Sequence, residues 1–142
     1  MIELGHETDR RPPFRYAAYT RVAFSDTDAQ GVVYYGRYMP YFDLARTEYH
    51  RHHDHIHIRG EFAMRALSVE YHAPARFDDL LEVFVRVERI GTTSVTYDYA
   101  AYGGDDVLMA AAKQTVVLID LDTRRPLPIP DEFRRLVEAF ER

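Results

Sequence analysis

A single long stretch of helical periodicity, set among segments that alternate at period two, most limits what this chain can fold into. Tyr38, Phe42, Ala45 and Tyr49 recur at spacings of four, three and four, which is one face of a helix, and Met39 and Leu44 widen that face. Pro40 is tolerated only in a first helical turn, so the helix is predicted to begin close to Tyr38 and to run to about His52. Around it, residues from Phe14 to Phe24 alternate as a strand. Leu67, Val69 and Tyr71 do the same, as do Leu81, Val83, Val85 and Val87, and then Thr93, Val95, Tyr97 and Tyr99. Gly103-Gly104-Asp105-Asp106 is a hairpin signal that leads into a return strand from about Val107 to Leu121.

Asp131 is read as the cap of a short amphipathic helix carrying Phe133, Leu136, Val137 and Phe140 on one side. Residues 1–13, polar and ending in Arg11-Pro12-Pro13, read as a loose N-terminal arm before a domain spanning 14–142. Sequential antiparallel strands around one helix predict an α+β architecture, a sheet wrapped on a central helix, and not a doubly wound one. One helix cannot cover a whole sheet, so pairing of two copies, at least a dimer, is expected.

Composition narrows the function. The net charge is −5, from 18 basic and 23 acidic residues, which argues against general attraction to nucleic acid or an anionic membrane. There is no cysteine, so thiolate metal sites and a cysteine nucleophile are excluded. The Met1–Glu7 segment has neither a basic nor an apolar signal region, and no apolar run approaches the ~18 residues of a membrane span. A cytoplasmic domain without membrane insertion is expected. There is no glycine-rich phosphate loop or dinucleotide fingerprint, so no cofactor is expected.

The segment with chemical content is Asp26 to Tyr38, which joins a strand to the start of the long helix. Ser25-Asp26-Thr27-Asp28-Ala29-Gln30-Gly31 is a polar turn holding two carboxylates. A helix start carries roughly half a positive charge and unpaired N–H donors, which can polarise a carbonyl. A carboxylate beside it can attack that carbonyl or deprotonate a water. Both aspartates are equally compatible with turn and cap roles. Calcium is excluded: the run imitates the opening of an EF-hand loop, but Arg37 stands where a bidentate Glu is needed.

Residues 21–38, with 41–48, 73–79 and 89–94 in support, resemble the 4-hydroxybenzoyl-CoA thioesterase family. These are hotdog-fold acyl-CoA thioesterases, and they include the type associated with the Tol-Pal system. The resemblance spans roughly Tyr16 to Pro130. It implies that Asp28 is the catalytic carboxylate, as nucleophile or general base. It also implies that the backbone N–H at Tyr35, seven residues on, polarises the thioester carbonyl, and that Gly31 supplies the turn aiming Asp28. Some relatives have histidine where Tyr35 stands; the tyrosine is similar to the 4-hydroxybenzoyl type.

Tyr34, Tyr38, Tyr41 and Tyr49 are candidates for contact with an aromatic acyl group, while most of the 11 tyrosines are expected in the core or in subunit contacts. The family's basic cluster, which meets coenzyme A phosphates, is reduced here to Arg89, so Arg76, Arg37 or a neighbouring subunit is expected to share that task. The resemblance thus implies an acyl-CoA substrate, aromatic or short-to-medium aliphatic. A carrier-protein thioester, a non-catalytic acyl-thioester-binding module and a hotdog dehydratase are the alternatives.

His50, His52, His53, His55 and His57 invite a metal reading, but no Glu completes a zincin pattern, and a solvated helix end is the plainer expectation. Glu48 shares a side of the helix with Tyr41. Gly-x-Ser-x-Gly is absent, which argues against a serine hydrolase.

Overall fold

The computed structural model describes residues 2–54 and 60–142. Its elements in chain order are β1 (Gly5–Arg11), β2 (Phe14–Arg21), α1 (Tyr38–His52), β3 (Glu61–Tyr71), β4 (Leu80–Ile90), β5 (Ser94–Tyr102), β6 (Leu108–Ile119) and α2 (Asp131–Glu141). All six strands form one sheet in the order β1-β2-β4-β5-β6-β3, and every neighbouring pair is antiparallel. The helix α1 lies across β1, β2 and β4. This is the α+β hotdog arrangement the sequence led us to expect.

Strand alternation explains the core. Tyr16 faces Val85, which faces Tyr99, which faces Ala112; the neighbouring row runs Ala18, Val83, Ala101, Ala110. All eight are buried against Phe42, Ala45 and Tyr49 of α1. Each large apolar side chain removed from water there contributes roughly 1.5–3 kcal/mol. On the opposite face a smaller cluster forms around Ala17, Phe84 and Ala100, packed by Phe14, Tyr102 and Leu108. The Arg11 guanidinium lies 3.5 Å over the Tyr102 ring.

Several local expectations are corrected. Gly5–Arg11 is not a loose arm but an edge strand, with Gly5 opposite Ala18 and Arg11 opposite Phe14. Its polar residues suit a strand that packs on only one side. The third strand begins at Glu61, well before its alternation becomes visible at Leu67. Pro130 occupies the cap position of α2, and Asp131 lies in its first turn without a side-chain cap bond. Leu136 is exposed, leaving Phe133 and Val137 as the buried anchors.

The histidine-rich helix end is not simply solvated. His50 is buried and its Nε2 meets the Tyr97 hydroxyl. His52 sits between Glu3 and Glu7, at 2.9 and 2.7 Å. The His53 ring packs on Phe140 at 4.4 Å. His55 and His57 lie outside the described residues. Glu48 is buried, where it accepts the Leu4 N–H and pairs with Arg51.

Candidate active site

The chain leaves β2 at Arg21 and forms a compact loop before entering α1. Asp28 and Val32 close its tip, the Asp28 N–H donating to the Val32 carbonyl at 2.9 Å and the Gly31 N–H to the Asp28 carbonyl at 2.9 Å. Gly31 has φ +79°, a left-handed conformation in which a Cβ is strained even where space is free, as it is here. Below the tip, Thr27 pairs with Val33, and Val32 pairs with Arg76 from the segment before β4. The Tyr34 N–H donates to the Asp26 carbonyl at 2.9 Å. The loop is thus a small hairpin that returns the chain to its own base.

The two aspartates are held differently. Asp28 is half-buried, and its Oδ1 accepts the Gln30 N–H at 2.8 Å. No other hydrogen bond reaches its carboxylate among the described residues. Asp26 Oδ2 takes two donors, the Ala23 N–H at 3.0 Å and the Tyr41 hydroxyl at 2.7 Å. Burial, and then that bond to Asp26, push the Tyr41 phenol far above its ordinary range.

Past the loop, one 3₁₀ turn, Tyr35–Arg37, precedes α1. The family resemblance implies that Tyr35 lies at the helix N-terminus; it stands one turn ahead of the α-helix proper, which begins at Tyr38 as its periodicity predicts. Among the described residues, no acceptor takes the N–H of Tyr35 or of Gly36. Such unpaired donors at the start of helical backbone are suited to an anionic oxygen. The Tyr34 and Tyr35 rings lie 4.5 Å apart and both are exposed. The Tyr34 phenol is held above its ordinary value first by hydrogen bonding with Tyr35 and, more weakly, by the negative charge of Asp28.

Asp28, Gly31, Tyr34, Tyr35, Arg37 and Arg76 therefore share one surface around the loop. Arg37 and Arg76 extend exposed guanidinium groups without an ion-pair partner among the described residues. Tyr38 is buried beneath them, its ring against Tyr41, Phe42 and Tyr71. Arg89 stands apart, near the far end of β4 and about 30 Å along the strand from Leu80.

Three features escaped the sequence reading. Tyr71, at the end of β3, donates its hydroxyl to the Tyr35 carbonyl at 2.9 Å. Phe24 and Phe77 form an exposed edge-to-face pair, 5.8 Å apart, on either side of the loop's base. The Tyr41–Asp26 bond is the third. Tyr41 and Tyr49, acyl-contact candidates in the sequence, are buried in the core instead. Two concavities, of about 830 and 390 Å³, lie against α2 and include none of the loop residues, although the smaller one holds Arg89. The described residues contain no group of three or more His, Asp or Glu arranged for a metal ion.

Comparison with known proteins identifies the family. The profile of the thioesterase superfamily matches residues 30–110, beginning just past Asp28. An acyl-CoA thioester hydrolase, YbgC, of Escherichia coli O6:H1 is 36% identical over 115 residues, which span 78% of this chain and 86% of that protein. The acyl-CoA thioesterase YbgC of Haemophilus influenzae is 30% identical over 120 residues, 80% of this chain and 88% of that one. Among solved structures, a probable thioesterase from Bartonella henselae superposes with a TM-score of 0.72 at 28% identity, covering 80% of this chain and 96% of that chain. A 1,4-dihydroxy-2-naphthoyl-CoA thioesterase from Synechocystis gives 0.79 at 21% identity, covering 89% and 97%, a likeness of fold.

Proposed function

The chain belongs to the thioesterase superfamily and is a thioester hydrolase, and from that premise we propose that it cleaves acyl-CoA to the free acid and coenzyme A, using the Asp28 carboxylate. The observation that carries this reading is the pairing of a carboxylate with a largely open oxygen and unaccepted N–H groups at Tyr35 and Gly36, on one short loop. A thioester carbonyl seated between them has its oxygen drawn to the two amides. The Asp28 carboxylate then attacks the carbonyl carbon, or takes a proton from a water that does so. The C–S bond breaks and the thiolate leaves with the electron pair; in the first route a water then cleaves the acyl–Asp28 anhydride, releasing the acid and restoring the carboxylate, and in either route the water's proton is the one the thiolate acquires. Charge developing on the carbonyl oxygen meets donors already oriented by the 3₁₀ turn, so little reorganisation is needed.

Tyr34 and Tyr35 offer an exposed aromatic wall for the acyl group, and Arg37 and Arg76 offer cations for the phosphates of coenzyme A. Arg89 is too distant to join them within one protomer, and it serves that role only from a second copy. This arrangement requires self-association, for which the sheet offers a surface. The strand β3 ends the sheet with an open edge and exposes Met64, Leu67 and Tyr71, which a second copy would cover. Thiol release measured over a panel of aromatic and aliphatic acyl-CoA thioesters tests the proposal with wild type and Asp28→Asn in parallel. Turnover by wild type and its loss in Asp28→Asn support it. Saturable binding without thiol release by wild type, or full turnover by Asp28→Asn, overturns it.

A further inference from the structure

The residue two places before Asp28 has no part in the chemistry proposed above, yet it has the most connected carboxylate in the loop. Asp26 Oδ2 accepts the Ala23 N–H at 3.0 Å and the Tyr41 hydroxyl at 2.7 Å, while its carbonyl accepts the Tyr34 N–H at 2.9 Å. It thus fastens three things: the chain entering the loop, the chain leaving it, and the first turn of α1. Thr27, between the aspartates, is extended at φ −95° and ψ 156°, so a displacement of Asp26 passes straight to Asp28.

We propose that Tyr41 and Asp26 form a positioning clasp, in which the buried Tyr41 hydroxyl, by holding Asp26, fixes the separation between the Asp28 carboxylate and the Tyr35 and Gly36 amides. The proposal rests on the reading of Asp28 given above. Its physical basis is geometric. The hydroxyl and the two amides belong to consecutive turns of the same helical segment, Tyr35–Arg37 and then α1, so a tie to Tyr41 is a tie to the amides. A hydroxyl donating to a carboxylate is among the stronger protein hydrogen bonds. Tyr41 is only 4% exposed, so water is poorly placed to replace it. The loop's other polar ties are internal to it, as between Asp28 and Val32, or run to the segment before β4, as from the Val33 N–H to the Ala75 carbonyl at 2.8 Å, and among the described residues none of them ends on α1.

A catalytic group displaced by about 1 Å loses up to about a hundredfold in rate while binding is largely kept. Tyr41→Phe removes the hydroxyl and leaves the ring, so it is expected to lower kcat of acyl-CoA hydrolysis about ten- to a hundredfold, with KM within about twofold and Tm within a few degrees. The same change in an Asp28→Asn background is expected to cost no more than about twofold further, since nothing is left to position. Asp26→Ala, which loses the Ala23 N–H bond as well, is expected to lower kcat at least as far as Tyr41→Phe, and Asp26→Asn, whose amide oxygen still accepts from both donors, to recover part of that loss.

A wild-type kcat in Tyr41→Phe, with Asp28→Asn crippled, overturns the clasp alone. So does a loss in Tyr41→Phe that persists in full in the Asp28→Asn background, or one that tracks a fall in Tm, because either describes a structural contact. Full activity in Asp28→Asn overturns the assignment of Asp28, and the clasp with it.

Discussion

The Tyr49 hydroxyl donates to Glu141 Oε2 across 2.7 Å, joining the buried face of α1 to the last turn of α2. The same carboxylate oxygen accepts the Val87 N–H at 2.8 Å, so β4 is held at the same point. Burial raises the Glu141 pKa above its ordinary value near 4.5, outweighing the two hydrogen bonds that favour its charged form. The folded protein therefore binds this proton more tightly than the unfolded chain. The contribution to stability is full below the ordinary carboxylate value and is lost as pH rises through the raised one. Thermal unfolding of wild type and Glu141→Gln, followed from acid to neutral pH, is expected to show the variant gaining on wild type across that window. Parallel curves would contradict it.

Asp28→Asn keeps the side chain's size and its capacity to accept the Gln30 N–H, but it removes the charge. Thiol release from the best acyl-CoA is expected to fall by about 10²- to 10⁴-fold, the usual worth of a positioned base or nucleophile, with Tm unchanged within a few degrees. Asp28→Ser, which keeps a short acceptor, should be no more active.

Gly31 is the position where backbone and chemistry meet most directly. Gly31→Ala introduces a methyl group into open space, so its cost is conformational, about 1 kcal/mol for φ +79°. Gly31→Asn, better tolerated in that region, is expected to unfold closer to wild type. If the turn aims Asp28 as proposed, both should lose more in kcat than their Tm values suggest.

The open edge of β3 yields a prediction about assembly. Leu67→Lys together with Met64→Lys places two charges among its exposed apolar side chains. Light scattering is expected to report a mass near that of one chain for the variant and a multiple of it for wild type. Thiol release should fall in step with dissociation. A monomeric wild type with full activity would remove the second copy from the account.

The central helix was legible because its signals are local: a four-three-four spacing and a proline confined to a first turn. The edge strand β1 was not, because its pattern is polar and its pairing is dictated by the register of β2. The first half of β3 was hidden for a related reason: as the other edge strand it leaves Met64 and Arg65 exposed, and a register shift between Met64 and Ala66 breaks the alternation. At the candidate site, the loop, Gly31 and the Asp28–Tyr35 spacing could be read along the chain. What separates Asp26 from Asp28 could not, since the difference lies in a hydroxyl that reaches back fifteen residues from α1. Arg89 shows the converse: its chemistry was legible, but the length of a strand sets it away from the loop.

Tyr71 is the last residue of β3, at the free margin of the sheet, and its hydroxyl holds the Tyr35 carbonyl. That carbonyl and the Gly36 N–H share one rigid peptide plane, so steadying one steers the other. The margin and this unaccepted amide are thus mechanically continuous: whatever shifts the outermost strand also turns the donor proposed to meet the substrate carbonyl.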